Sequence, residues 1–359
     1  MFNCMPVPDH NAHPNVNPHL SEQIAQRKPT ALLPEDYVER LLTGDRVALG
    51  RAITLVESSR ADHQQLAEQI VAQCLPHSGN SFRIGITGAP GVGKSTFIEA
   101  FGLYLLSQGR RVAVLAVDPS SQVSKGSILG DKTRMLELAS QPQAFIRPSP
   151  SGDSLGGVAR KTRETILLCE AAGYDTIIIE TVGVGQSETA VHSMTDFFLL
   201  LLMPGAGDEL QGIKRGIVEM ADLIAINKAD GERKGLAMRA KREYAGALHL
   251  FPAKPSGWEP QTVLCSAIEN LGIVEIWKLL LAYQELTVKN TYFQHNRTRQ
   301  ATFWLHESIR EHLNNLFYYH PQVQEHLQAV EKAVLDGVMT PFKGAALLMK
   351  KFLNTDKSG

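Results

Sequence analysis

Apolar residues change their spacing twice along this chain, and the changes divide it into three regions. From about Pro34 to His77 the spacing is helical. Leu49, Ile53 and Val56 fall on one face, and Leu66, Ala67 and Ile70 on another. Asp45 and Asp62 stand where side-chain N-caps are expected for those two helices. From Ser81 to about Tyr283 the pattern shortens to "FRIGITG", "RVAVLAVD", "AFIRP", "DTIIIETVG", "DFFLLLLM", "ADLIAINK" and "TVLCSA", separated by helical stretches. These runs are apolar throughout instead of alternating, as strands are when helices cover both faces. They predict an α/β fold with a mostly parallel, helix-covered sheet of about seven strands, whose ligands sit at the strands' carboxyl ends.

After about Thr291 the pattern is helical again. Val323, Leu327, Val330 and Val334 form an apolar seam, Gly337 is a stop signal, and Thr340-Pro341 reads as the cap and first turn of a last helix. The aromatics of "NNLFYYHP" look exposed and in need of a partner surface. The expected organisation is a disordered tail over 1–30, a helical extension over 31–80, a nucleotide-binding domain over 81–285 and a helical arm over 286–359.

Composition narrows this reading without redirecting it. The chain has 359 residues, 43% hydrophobic and 20% charged, with a formal net charge of −1, which gives no whole-chain case for nucleic acid or a membrane surface. Cys4, Cys74, Cys169 and Cys265 lie far apart with no C-x-x-C pair, so reduced thiols and a cytoplasmic location are expected. Cys169 and Cys265 sit in apolar runs, where a small buried residue is the simpler reading. No apolar run reaches the roughly 18 residues that a membrane span needs. The N-terminus lacks the layout of a secretory or mitochondrial leader. Its His10, His13 and His19 read as part of a solvated tail sooner than as a metal site.

The chemistry begins at Gly88-Ala89-Pro90-Gly91-Val92-Gly93-Lys94-Ser95-Thr96, which fits G-x-x-x-x-G-K-[ST] between a strand and a helix. Glycines let backbone N–H groups close around phosphate oxygens, and the helix start adds a favourable dipole. Lys94 would reach the β- and γ-phosphates, and Ser95 would hold Mg²⁺. A second motif, Asn227-Lys228-Ala229-Asp230, ends a later strand. The Asp230 carboxylate can accept hydrogen bonds from N1–H and the exocyclic amine of guanine. Adenine would leave it unpaired, a mismatch that can cost a factor of about 10⁴ in binding. In "LCSAIEN", Ser266, Ala267 and Ile268 are placed to cover the base; otherwise Ser266 is a helix cap and Ile268 a core residue.

Glu180 ends the strand in "IIIETVGVGQSE", with Gly183 three residues on. The carboxylate can bind Mg²⁺ through water, and the glycine N–H can meet a γ-phosphate. Gln186 is not adjacent to Gly183, so it is not assigned as the residue that positions the attacking water. Asp118 in "LAVDPSS" and Asp131 in "SILGDKTRM" either join the magnesium site or cap a turn and a helix; Arg134 follows Asp131. The loop "MPGAGDELQGIKRGIVEMAD" carries Asp208, Glu209, Gln211, Lys214 and Arg215, and reads either as a switch or as a solvated loop. Arg134, Arg160 and Arg163 are the candidates for a charge-stabilising arginine.

Together "GAPGVGKST", "VDPSS", "GDKTRM", "PSPSGDSLGGVARKTRE", "ETVGVGQSE", "MPGAGDELQGIKRGI", "NKAD" and "CSA" resemble the MeaB/ArgK family of P-loop GTPases. Members of that family act as chaperones of adenosylcobalamin-dependent methylmalonyl-CoA mutase. The resemblance runs from about Asp45 to the C-terminus. It implies GTP hydrolysis to GDP and phosphate, which is expected to be slow because no in-cis arginine finger is obvious, Mg²⁺ near Ser95, Asp118, Asp131 and Glu180, and a C-terminal arm that forms a homodimer. It also implies a third switch loop from Gly205 to Arg215, through which GTP cleavage gates cobalamin delivery to a mutase; cobalamin itself would be met only through that partner. Two alternatives stand beside it. A nickel-insertion GTPase would need a Cys/His cluster near its switches, and a transport-linked kinase would need phosphoacceptor machinery; neither is evident in the sequence.

Overall fold

A computed structural model describes residues 32–117, 135–148, 155–181, 187–205 and 215–354. Its centre is one sheet of seven strands: β1 (Phe82–Gly88), β2 (Val112–Val117), β3 (Ala144–Arg147), β4 (Thr176–Thr181), β5 (Phe197–Leu202), β6 (Leu223–Ile226) and β7 (Gln261–Leu264). All six neighbouring pairs are parallel, in the order β3-β2-β4-β1-β5-β6-β7. Each expected run supplies one strand. The first six strands have no exposed residue, because helices lie on both faces. The register sets Ile86 of β1 beside Glu180 of β4 and Gly88 beside Leu201 of β5, which aligns the carboxyl ends of the central strands.

The N-terminal region is three helices, α1 (Pro34–Leu42), α2 (Arg46–Glu57) and α3 (Ala61–Cys74). Leu49, Ile53, Val56, Ala67 and Ile70 are buried as their spacing predicts, in one cluster with Ile177 and Ile179 of β4. Asp45 caps α2, accepting from Val47 N at 2.8 Å and Ala48 N at 3.1 Å. Asp62 does not cap α3. The N-cap is Arg60, and Asp62 lies in the first helical turn, where it pairs with the Arg60 guanidinium at 2.6 Å.

Between the strands run α4 (Lys94–Ser107), α5 (Leu136–Ser140), α6 (Leu155–Ala171), α7 (Ser187–His192), α8 (Arg215–Met220) and α9 (Lys234–Leu248). The C-terminal region adds α10 (Ile273–Lys289), the 27-residue α11 (Tyr292–Tyr318), α12 (Pro321–Leu335) and α13 (Pro341–Asn354). The expected seam holds: Val323 and Val330 are buried with Leu348, and Leu327 packs beside them. Gly337 ends α12 at φ +71°, and the Thr340 hydroxyl accepts from Lys343 N at 3.3 Å at the start of α13. Leu305, Ile309, Leu313 and Leu316 of α11 are exposed, as are Tyr318 and Tyr319.

Cys74, Cys169 and Cys265 are buried free thiols. Burial raises all three, Cys74 to about 11 and Cys265 to about 12, so each is a protonated, inert core residue at neutral pH. No helix among the described residues is long and apolar enough to cross a membrane. Cys4 and the three tail histidines lie outside the described residues.

Candidate functional site

The phosphate loop joins β1 to α4 at the middle of the sheet's carboxyl edge. Two of its glycines are required by close approach. A Cβ on Gly88 would stand 2.4 Å from the Leu201 carbonyl oxygen. A Cβ on Gly93, at φ +94°, would stand 2.9 Å from Nδ2 of Asn227. The Val92 side chain is buried in the core, so only its backbone is offered to a ligand, whereas Pro90, Gly91 and Thr96 are exposed.

Lys94 is buried, and its ammonium donates to the carbonyls of Gly88 at 2.8 Å and Ala89 at 3.3 Å. Burial lowers its pKa, while the charges of Glu180 and Glu188 act to raise it. The next residue, Ser95, places its hydroxyl 3.4 Å from Oε1 of Glu180. A hydroxyl and a carboxylate at this spacing fit a magnesium ion that keeps most of its water and takes phosphate oxygens as further ligands. Among the described residues no group of three or more His, Cys, Asp or Glu side chains could hold a metal ion.

The base motif is physically tied to the phosphate loop. Asn227, buried at the end of β6, donates through Nδ2 to the Val92 carbonyl at 2.9 Å. Lys228 takes φ +56° and donates through Nζ to the Gly91 carbonyl at 2.8 Å. These two side chains therefore brace the loop and leave the Asp230 carboxylate, three residues on from Asn227, outside that bracing. Asp230 is half-buried, and its carboxylate accepts a short hydrogen bond from the fully buried Ser266 hydroxyl. That hydroxyl also accepts from Glu269 N at 3.3 Å, so Ser266 orients Asp230 while closing its own turn. Ala267 is buried, but Ile268 is 79% exposed, which excludes it as a core residue and leaves it free to cover a planar ligand.

The structure thus brings the phosphate loop, Glu180, Asn227, Lys228, Asp230 and Ser266 to the same end of one sheet. Asp118, Asp131, Arg134, Gly183, Gln186, Asp208, Glu209, Gln211 and Lys214 lie outside the described residues. Two arginine candidates face elsewhere. Arg160 pairs with Glu164 one turn along α6 at 3.0 Å, and the Arg163 guanidinium lies 5.6 Å from the centre of the Trp304 ring. Both side chains are directed along α6 or toward α11 because their neighbours there supply the acceptor and the aromatic face. Glu188 is the residue that the sequence reading passed over: fully buried in the first turn of α7, it acts electrostatically on Lys94. Its only signal was its place directly after "GVGQS".

With this geometry in place, the chain can be set beside known proteins. A family model described as "Methylmalonyl Co-A mutase-associated GTPase MeaB" matches residues 49–322. A Caulobacter vibrioides protein named as a GTPase is 52% identical over 323 residues, covering 90% of this chain and 98% of the relative. The Escherichia coli protein named GTPase ArgK is 45% identical over 320 residues, covering 89% of this chain and 96% of its own length. The mouse protein named "Methylmalonic aciduria type A homolog, mitochondrial" is 46% identical over 330 residues, covering 88% of this chain and 80% of the relative. A solved structure described as an LAO/AO transport system kinase has a TM-score of 0.70 at 39% identity, covering 88% of this chain and 96% of that one.

Proposed function

The chain belongs to the MeaB family of GTPases, and from that premise we propose that it is a GTP-driven switch acting on a cobalamin-dependent acyl-CoA mutase. Methylmalonyl-CoA mutase or a close relative is the partner this reading favours, because the matching family model and the mouse relative carry methylmalonyl names. GTP cleavage would gate the loading and protection of the mutase's cobalamin, which this chain would meet only through its partner. A cytoplasmic homodimer joined through the exposed apolar face of α11 completes the reading.

The observation that carries the nucleotide part is the bracing of the phosphate loop by Asn227 and Lys228, which fixes the distance between a phosphate site and Asp230. In this reading backbone N–H groups from Gly88 to Thr96, Pro90 excepted, hold the β- and γ-phosphates, and Lys94 exchanges its two carbonyl partners for phosphate oxygens. Mg²⁺, when bound, would neutralise charge between the phosphates. Ser95 and Glu180 would face it, with Asp118 and Asp131 as further ligands and Gly183 as the sensor of the γ-phosphate. Water attacks the γ-phosphorus, GDP leaves, and positioning with charge neutralisation supplies the acceleration. Asp230, held by Ser266, selects guanine, and Ile268 covers it. Arg134, Asp208, Gln211 and Lys214 would carry nucleotide state outward.

The test is nucleotide hydrolysis measured with and without purified mutase. GTP should be cleaved slowly, ATP should not be cleaved, and the mutase should change the rate or the affinity for GTP. Cleavage of ATP, or a mutase without effect on either quantity, would contradict the proposal. Transfer of labelled γ-phosphate to a protein instead of to water would favour the kinase reading that the LAO/AO relative's name suggests.

A further inference from the structure

At its carboxyl edge the sheet divides into two halves that meet at β1 and β4. The pairing of β1 with β4 runs from Phe82–Thr176 to Ile86–Glu180 and ends there. Beyond that step each strand keeps only its other neighbour. Thr87 and Gly88 pair with Leu200 and Leu201 of β5, and Thr181 pairs with Val117 of β2. The phosphate loop, Asn227, Lys228 and Asp230 follow strands of one half, β1 and β6, whereas Glu180 belongs to the other, β4 with β2 and β3. Ligands of parallel sheets enter crevices of this kind. The width of the gap therefore decides how Glu180 stands to Ser95.

Two hydroxyls bridge that gap. Thr181 Oγ1 donates to Thr87 Oγ1 at 2.9 Å, and both residues are fully buried. Among the described residues each hydroxyl is the other's side-chain partner. The bridge stands one residue beyond the last ladder pair, immediately before Gly88 on one strand and immediately after Glu180 on the other. The contact from the start of α4 to Glu180, Ser95 Oγ to Oε1, is 3.4 Å, too long for a firm O–H···O bond. The threonine pair is within range. A satisfied hydroxyl pair in a dry interior is directional, and it fixes a distance that apolar packing leaves looser.

We propose that Thr87 and Thr181 are the positioning residues of the divalent-cation site. Their hydroxyl bond sets the gap across which Ser95 and Glu180 face one ion, directly or through a bound water, and so favours Mg²⁺ over a larger cation. This rests on the phosphate-site reading above. Mg²⁺ demands a near-octahedral shell at about 2.0–2.1 Å, whereas Ca²⁺ accepts irregular shells at about 2.3–2.6 Å. A gap loosened by a few tenths of an ångström is therefore felt by Mg²⁺ and largely absorbed by Ca²⁺.

Binding of a non-hydrolysable GTP analogue to the full chain, titrated with Mg²⁺ or with Ca²⁺, tests the pair. In the double variant Thr87→Val/Thr181→Val no hydroxyl is stranded, so the unfolding midpoint should stay near that of the wild-type chain. The Mg²⁺ concentration for half-maximal binding should nevertheless rise about ten-fold, and the Ca²⁺ concentration by less than about two-fold. Thr181→Val alone leaves the Thr87 hydroxyl buried without its partner. It should show the same Mg²⁺ shift together with a lowered unfolding midpoint. Thr181→Ser keeps a hydroxyl and should keep the wild-type Mg²⁺ requirement. A wild-type Mg²⁺ requirement in either valine variant would overturn the positioning role alone. An equal rise for both cations, or a Thr181→Ser variant that shifts as the valine variants do, would overturn it as well. Failure of the analogue to bind the wild-type chain would overturn the phosphate site and this inference together.

Discussion

At the carboxyl end of the sheet, Lys94, Lys228 and Asn227 direct their donors at backbone carbonyls of the phosphate loop. At the amino end, cations meet carboxylates. Arg83 pairs with Glu170 at 2.8 Å, Arg297 with Asp196 at 2.7 Å and Lys254 with Asp222 at 2.7 Å, all largely buried. The two ends use the same residue types for different purposes. A lysine resting on neutral carbonyls gives them up readily to a phosphate, whose charge makes a stronger hydrogen bond. An arginine locked to a buried carboxylate is a permanent fastening, and removing one partner strands the other. The contrast separates the part of the molecule proposed to exchange ligands from the part that holds the arm.

The largest expected effect lies at the fastened end. Arg297→Ala strands Asp196 and also removes donors to the Gly79 and Ser81 carbonyls. It should cost about 3–5 kcal/mol of stability in denaturant unfolding. A loss below about 1 kcal/mol would mean that this end is not a clamp. Next comes Lys94→Ala, which should weaken GTP binding about 100-fold, or about 2.7 kcal/mol, with little change in unfolding midpoint. Unchanged affinity would remove Lys94 from the phosphate cradle. The smallest effect belongs to neither end: Asp45→Ala removes the α2 cap and should cost about 1 kcal/mol of stability without altering GTP binding. Its two backbone N–H donors and Arg40 hold the Asp45 carboxyl below its ordinary pKa. That stabilisation is therefore present above the unfolded carboxylate range near pH 4 and fades as pH falls through the lower folded value.

The same contrast explains what the sequence disclosed. The phosphate loop, Asn227-Lys228-Ala229-Asp230 and Ser266 were legible because each motif is contiguous and stands at the end of an apolar run. Seven strands were legible because two helix layers keep them apolar throughout. The fastened end was not legible: Arg297 and Asp196 are 101 residues apart, and Arg83 and Glu170 are 87 apart, with no local spacing to join them. Charged residues on helices were misleading for a related reason. Asp62 found Arg60 two residues away instead of a cap, and Arg163 found the Trp304 face, a contact made only when α11 docks on α6. Glu188 lay in plain sight, but its burial depends on how α7 packs against the sheet.

Asp230, fixed by Ser266 and by the braced loop, is proposed to make this a guanine site. The direct measurement is equilibrium binding of GTP, ATP and XTP to the wild-type chain and to Asp230→Asn. The wild-type chain should prefer GTP over both others. The variant should lose about 100-fold in GTP affinity and gain a preference for XTP, because an amide can donate to xanthine's extra carbonyl. Full preference for GTP in Asp230→Asn would contradict the assignment of the base site.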